Sequence, residues 1–197
     1  MASINMNVKT NISQVLRQFR GIDKKLIIPA IVTALNKTGD QAKTLIKKEI
    51  VKATGLKAGS VSKRITGKKA KWSDQTYRLS VEGRHFTLDA YKNKPRETKA
   101  GVTHSAWGKR QVAKGAFLIN GLGGNRIAVK RVRGQMTSTG KGKVKALYGA
   151  SAPREYVRNN MEDKVGLKVK EKFPKLFATA LDFHFRKSMN KGKAVFK

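Results

Sequence analysis

Cysteine is absent from this 197-residue sequence, acidic residues are scarce and no long apolar run occurs. Without cysteine there can be no disulfide and no thiolate-ligated zinc, which suits a reducing compartment or a particle assembled in one. The most apolar stretch, Leu26 to Leu35, falls short of the roughly 20 residues that a membrane-spanning helix needs. Lys24 and Lys25 precede it like the front of a secretion signal, but polar Asn36 to Asp40 follow at once and no small-residue cleavage site is evident. The expectation is a buried helix start in a soluble, unprocessed chain with no membrane partner. The apolar fraction of 39% lies below the roughly 45–50% of an average soluble domain, so part of the chain is thinly cored.

Positive charge is what the sequence has in abundance: 44 Lys and Arg against 12 Asp and Glu, a formal net charge of +32. A protein this basic works beside a polyanion, which leaves nucleic acid, an anionic membrane surface or a strongly acidic protein assembly. The charge is uneven. Residues 57–145 hold 22 basic and four acidic groups, against ten and three before them and twelve and five after them. This middle region is also rich in glycine, and long basic loops that need outside support are expected there.

Ile12, Val15, Leu16 and Phe19 keep the spacing of one helix face. A longer helix follows with Pro29 in its first turn. Ile31, Leu35, Thr38, Ala42, Leu45, Ile46 and Ile50 form its apolar stripe, Lys37, Lys43, Lys47 and Lys48 point outward, and Gly55 stops it. Ser60 to Ile65 reads as a short helix capped by Ser60. Alternation with period two then sets in, with Tyr77, Leu79 and Val81 against Arg78, Ser80 and Glu82. Phe86–Tyr91, Val112–Ile119 and Ile127–Val132 are further strands, the last two joined as a hairpin through Asn120 to Asn125. Lys92–Gly108 and Arg133–Lys145 show no apolar periodicity and are expected to be irregular.

Helix returns with Ser151 as N-cap and Pro153 near the first turn, followed by the apolar face Tyr156, Val157, Met161 and Val165. Phe173, Leu176, Phe177, Ala180, Leu181 and His184 continue at helical spacing, and Pro174 should kink this helix or begin a new one. The fold class is α+β, with N- and C-terminal helices packed on a small antiparallel β-sheet that carries long basic loops. A single domain over 1–197 is expected, helical at 1–66, basic and β/loop at 67–148, and helical again at 149–197.

No catalytic constellation is legible. His85, His104 and His184 lack the two-histidine spacing of a helical metal site, and His184 beside an apolar face reads as a satisfied core or interface histidine. Adjacent Glu162 and Asp163 point to different faces of a helix, and the glycines of Gly121 to Asn125 lack the Lys and Ser/Thr of a phosphate-binding loop. Neither cofactor nor metal is expected. The candidate polyanion-binding residues are three basic runs: Lys63, Arg64, Lys68, Lys69 and Lys71; Arg126, Lys130, Arg131 and Arg133; and Lys141, Lys143 and Lys145. The alternating lysines at 141–145 supply point charges suited to a phosphate backbone rather than to base edges. Trp72, Tyr77, Phe86 and Tyr91 are candidates for base stacking, with core packing the expected role for at least half of them.

Several segments, in order, resemble the phage minor tail protein Z family, the tail completion proteins of lambda-like tails. They are Ala34 to Ile50, the short basic segment Leu56 to Ile65, Lys114 to Ile119 (KGAFLI), the strand with Lys130, Arg131 and Val132, Pro153 to Met161 (PREYVRNNM) and Phe173 to Met189. The resemblance spans most of residues 30–190 and departs at Asp74–Ala113 and Met136–Lys145, so no binding role of those segments carries over. It implies a structural virion protein rather than an enzyme, assembled in the host cytoplasm and acting late in tail assembly at the head-proximal end or neck. It also implies a homo-oligomer, a ring or several copies, whose basic loops meet genome DNA or acidic tail subunits. From charge alone, the alternative is a ribosomal-type RNA-binding protein.

Overall fold

The computed structural model describes residues 3–9, 23–121 and 126–195. The expected helix of Ile12 to Phe19 and most of the Asn120 to Asn125 turn lie outside the described residues. Strand β1 (Ile4–Lys9) precedes the 31-residue α1 (Lys24–Thr54) and the short α2 (Ala58–Ser62). Next come β2 (Ile65–Lys68), β3 (Thr76–Val81), β4 (His85–Thr87), β5 (Arg96–Thr98), β6 (Gly101–His104) and β7 (Gln111–Lys114). Strands β8 (Ala116–Asn120), β9 (Arg126–Met136), β10 (Gly142–Ala146) and β11 (Tyr148–Ser151) lead into α3 (Ala152–Arg158) and α4 (Met161–Val195). The fold is α+β, but the strands form four small antiparallel sheets among the described residues, not the one sheet expected.

Two compact units are each drawn from separate stretches of chain. One comprises Met1–Ser3, Lys47–Arg64 and Glu82–Asn159; the other comprises Ile4–Ile46, Ile65–Val81 and Asn160–Lys197.

In the second unit, β3 is the middle strand between β1 and β2, and its alternating Tyr77, Leu79 and Val81 are all buried, as the period-two pattern predicts. The α1 stripe is likewise buried through Ile27, Ile31, Leu35, Thr38, Ala42 and Ile46. Tyr77 is wedged against two glycines, Gly39 of α1 and Gly67 of β2, where any side chain would run into its ring or hydroxyl. Its hydroxyl donates to Asp40 Oδ1 at 2.8 Å. Burial first, and then this bond to a carboxylate, push the phenol well above its ordinary pKa. The unfolded chain therefore releases this proton above about pH 10 while the folded chain keeps it, so stability falls as pH rises through that range. Tyr77→Phe should flatten this alkaline slope in urea melts between about pH 9 and 11; a slope unchanged by the substitution would remove Tyr77 from the account.

Boundaries shifted where side chains compete for backbone groups. Asp23 starts α1, its Oδ1 accepting the Lys25 N–H at 2.8 Å and its carbonyl the Leu26 N–H at 2.9 Å, so Pro29 lies inside the helix rather than in its first turn. The expected Ser60–Ile65 helix instead ends at Ser62, because Ile65 pairs with Val81 as the first residue of β2. At the other end of the chain, the helix breaks at Asn159 and Asn160, not at Pro174. The Asn159 side-chain amide donates to the Glu155 carbonyl at 2.7 Å and Asn160 takes φ 48°, whereas Pro174 lies within a continuous α4. Val157, expected on the apolar face, is exposed.

The first unit holds three sheets, ordered β5-β6-β7, β10-β9-β8 and β11-β4. Both segments expected as irregular contain strands: β5 and β6 lie within 92–108, while the end of β9 and most of β10 lie within 133–145. The long basic loops are thus replaced in large part by basic strands. Phe86–Tyr91 is strand only to Thr87 and then a 3₁₀ turn, and Val112–Ile119 divides into β7 and β8 at Gly115, whose φ is 69°. The β8–β9 hairpin forms as expected, with Phe117 opposite Val129 and Ile119 opposite Ile127. Tyr91 is fully buried, and its hydroxyl oxygen accepts the Ala150 N–H at 2.8 Å.

Candidate polyanion-binding surface

Seven of the candidate cations share one three-stranded sheet or the turn beside it. Lys130 on β9 stands directly opposite Lys145 on β10, and Arg131 opposite Val144. Arg126, Lys130, Arg131, Arg133, Lys141, Lys143 and Lys145 are all exposed, and among the described residues none of them forms an ion pair. Like charges directly opposite across strands destabilise a pair, so the Lys130–Lys145 arrangement costs the sheet stability while it stays unneutralised. Between the Gly142–Met136 and Val144–Arg131 pairings, β9 carries extra residues that β10 does not match. Gly134 in this stretch takes φ 72°, a left-handed conformation that glycine adopts without steric cost. The Arg131 guanidinium lies over the Phe117 ring, 5.3 Å from its centroid, a cation–π contact that holds the group in place while the residue stays exposed.

The other candidates are placed differently. Arg64 is engaged already, bonded to Glu82 at 2.9 Å and set over the Phe86 ring at 5.9 Å, while Lys63 is exposed beside it. Lys68, Lys69 and Lys71 belong to the second unit; all three are exposed, and Lys69 lies 3.7 Å from Asp40. Tyr77, Phe86 and Tyr91 are core residues, which leaves Trp72, 57% exposed, as the member of that aromatic set accessible for stacking.

Sequence reasoning missed a cleft of about 480 Å³ in the first unit whose charged lining is wholly basic: Lys92, Lys94, Arg96 and Arg110, with His104 and Thr103 beside them. His104 accepts the Ala106 N–H through Nδ1 at 3.4 Å, and burial holds its pKa below the ordinary histidine value. The signal was the density of basic residues between 92 and 110, hidden because they are spread over two strands and their flanks. Of the other histidines, His184 Nε2 is hydrogen-bonded to the Thr33 hydroxyl at 3.3 Å, the satisfied role expected of it. His85 Nδ1 donates to the Gly149 carbonyl at 3.1 Å.

Among the described residues no group of three histidines and carboxylates could hold a metal ion, and no helix is long and apolar enough to cross a membrane. What fold and surface define is an α+β protein whose exposed strands carry unneutralised positive charge. The family model for prophage minor tail protein Z (GPZ) matches residues 10–191, and the chain belongs to that family. It is a phage minor tail protein, a constituent of the virion tail, and its partners are other tail proteins. No curated protein and no solved structure matches it.

Proposed function

We propose that this protein completes the tail at its head-proximal end. It acts as one tail-completion domain in a ring or several copies, assembled in the host cytoplasm. Its role is structural rather than enzymatic: the exposed cations of the β8–β9–β10 sheet neutralise DNA phosphates or the acidic surface of a neighbouring tail subunit. The observation that carries this reading is the set of seven exposed cations on that sheet and the turn beside it, none in an ion pair among the described residues, with Lys130 directly across from Lys145. Cations carried on strands present charge without the base-reading geometry of a recognition helix, so contact is to backbone charge and not to sequence. Family membership displaces the ribosomal alternative.

The test is duplex DNA affinity as a function of salt. Log affinity should fall linearly with log salt and ignore base sequence, and Lys130→Ala, Lys143→Ala and Lys145→Ala together should make the slope shallower by about 0.9 for each phosphate contact removed. The triple variant should also fail to restore head joining to tails assembled without this protein. A slope unchanged by the triple substitution, or affinity set by base sequence, would count against DNA; restored joining would count against the surface altogether.

A further inference from the structure

A different pocket in the first unit combines features that the basic sheet lacks. It is a cavity of about 240 Å³ whose walls include His85, Trp107, Ser151, Arg154, Glu155 and Arg158. Trp107 takes φ 55° and ψ 31°, the left-handed region that a bulky side chain rarely enters and that recurs at ligand clamps. Its side chain is not hidden in return, since the residue is 41% exposed.

What holds the ring is a buried carboxylate. Glu155 is only 3% exposed; its Oε1 accepts the Trp107 indole N–H at 3.2 Å, and its Oε2 is 3.5 Å from the Asn159 amide. Burying a carboxylate is costly, and here it fixes an exposed ring rather than a core one. The indole's single donor is consumed, so the ring has only its π surface to offer a ligand. A purely structural Glu155 would be expected to pair with a neighbouring arginine. Arg154 and Arg158 flank it in sequence and line the same cavity, yet neither forms an ion pair with any described acid. Being four residues apart on α3, the two project from one helix face. His85 has its Nδ1 committed to Gly149, which leaves its Nε2 edge for a ligand.

We propose that this pocket binds one nucleotide of a single-stranded nucleic acid, the base stacked on Trp107 and the adjoining phosphate held between Arg154 and Arg158. An acidic peptide would use the arginines but leave the strained, immobilised indole without a role. A duplex keeps its bases stacked on one another and would present one to Trp107 only at the cost of unpairing and flipping it out. The volume lies just under the usual range for small-molecule pockets, about 300–1,000 Å³, and suits one planar ring system. The inference goes beyond the charge-neutralising reading above, since it rests on other residues and requires a base.

The experiment uses the intact protein carrying Trp72→Phe, which leaves Trp107 as the single tryptophan of the two. The probes are an oligothymidylate and an abasic phosphodiester of the same length. The oligothymidylate should quench Trp107 fluorescence and bind at least about 5-fold more tightly than the abasic chain, the effect of one base stacked on an aromatic ring. Trp107→Leu should erase that preference and leave abasic affinity unchanged, and Arg154→Gln with Arg158→Gln should weaken both probes. Trp107→Phe keeps a ring and should retain most of the preference, which a collapsed fold would not. Equal affinity for the two probes overturns the proposal, as does a preference that survives Trp107→Leu. Displacement of the oligothymidylate by polyglutamate at matched charge would overturn it too and assign the pocket to an acidic peptide. Duplex binding by the β8–β9–β10 sheet does not involve Trp107, so it tells a failure here from a failure of that reading.

Discussion

Gly39→Ala is expected to destabilise the protein by about 2 kcal/mol, against the usual direction for that change in a helix. In an open helix interior alanine is favoured over glycine by about 1 kcal/mol. At Gly39 the new methyl would overlap three atoms of the Tyr77 ring, so the sign depends on whether that ring can retreat. It cannot move far. Tyr77 is buried on the middle strand of its sheet, its hydroxyl is bonded to Asp40, and Gly67 leaves room for it with nothing to spare. Overpacking of this kind costs about 1–3 kcal/mol and at times more, which exceeds the helix-propensity gain. Thermal unfolding should show a fall of roughly 4–8 °C, taking about 2–4 °C per kcal/mol for a chain of this size. In a Tyr77→Leu background the same substitution should become neutral or stabilising. A Gly39→Ala protein as stable as the parent would mean that the wedge is not rigid.

Gly149→Ala is expected to cost about 2–3 kcal/mol in the first unit, for a related reason with a polar component. A methyl at Gly149 would overlap the hydroxyl and ring of Tyr91, a fully buried residue whose oxygen accepts the Ala150 N–H. Displacing Tyr91 strands that buried N–H, and an unsatisfied buried donor costs about 1–3 kcal/mol by itself. The backbone cannot yield easily, because the Gly149 carbonyl is held by His85. A double-mutant cycle with Tyr91→Phe checks the mechanism. Removing the oxygen relieves the closest overlap and the hydrogen bond at stake, while the ring contacts remain, so the penalty of Gly149→Ala should shrink in the Tyr91→Phe background without vanishing, by about 0.5–3 kcal/mol, the range seen for touching residues. Simple additivity would show that Tyr91 is not what Gly149 accommodates.

Where one face of an element is buried, the sequence was readable. The α1 stripe from Ile31 to Ile50, the alternation at Tyr77, Leu79 and Val81, and the Phe117–Ile119 and Ile127–Val129 hairpin all have apolar residues at the period of their structure. Gly55 ends α1 with φ 75°, the stop that its position suggested. Elements that bury little left no such trace. All of β5, with Arg96, Glu97 and Thr98, is exposed, and β10 has Lys143 and Lys145 exposed around Val144, so backbone pairing forms these strands without a hydrophobic period. The surface was legible to the extent that charge is local in sequence, as at 126–133 and 141–145. The Lys92–Arg110 cleft is assembled from residues spread over two strands. The Trp107 pocket depends on a backbone angle and on a partner 48 residues away, and neither leaves a pattern in a single sequence.

Among the described residues β10 is an outer strand of its sheet, with no strand paired along its far edge. An open edge invites another chain to extend the sheet, and lysines along it are a common deterrent. Lys143 and Lys145 place that deterrent on the edge strand itself. Colloidal behaviour follows from this. In dilute salt, copies of the protein hold one another apart and stay dispersed; as counterions accumulate, the barrier falls and the edge becomes adhesive. The same charges that keep free copies apart are screened by salt, and stocks held at high ionic strength are expected to be the ones that precipitate.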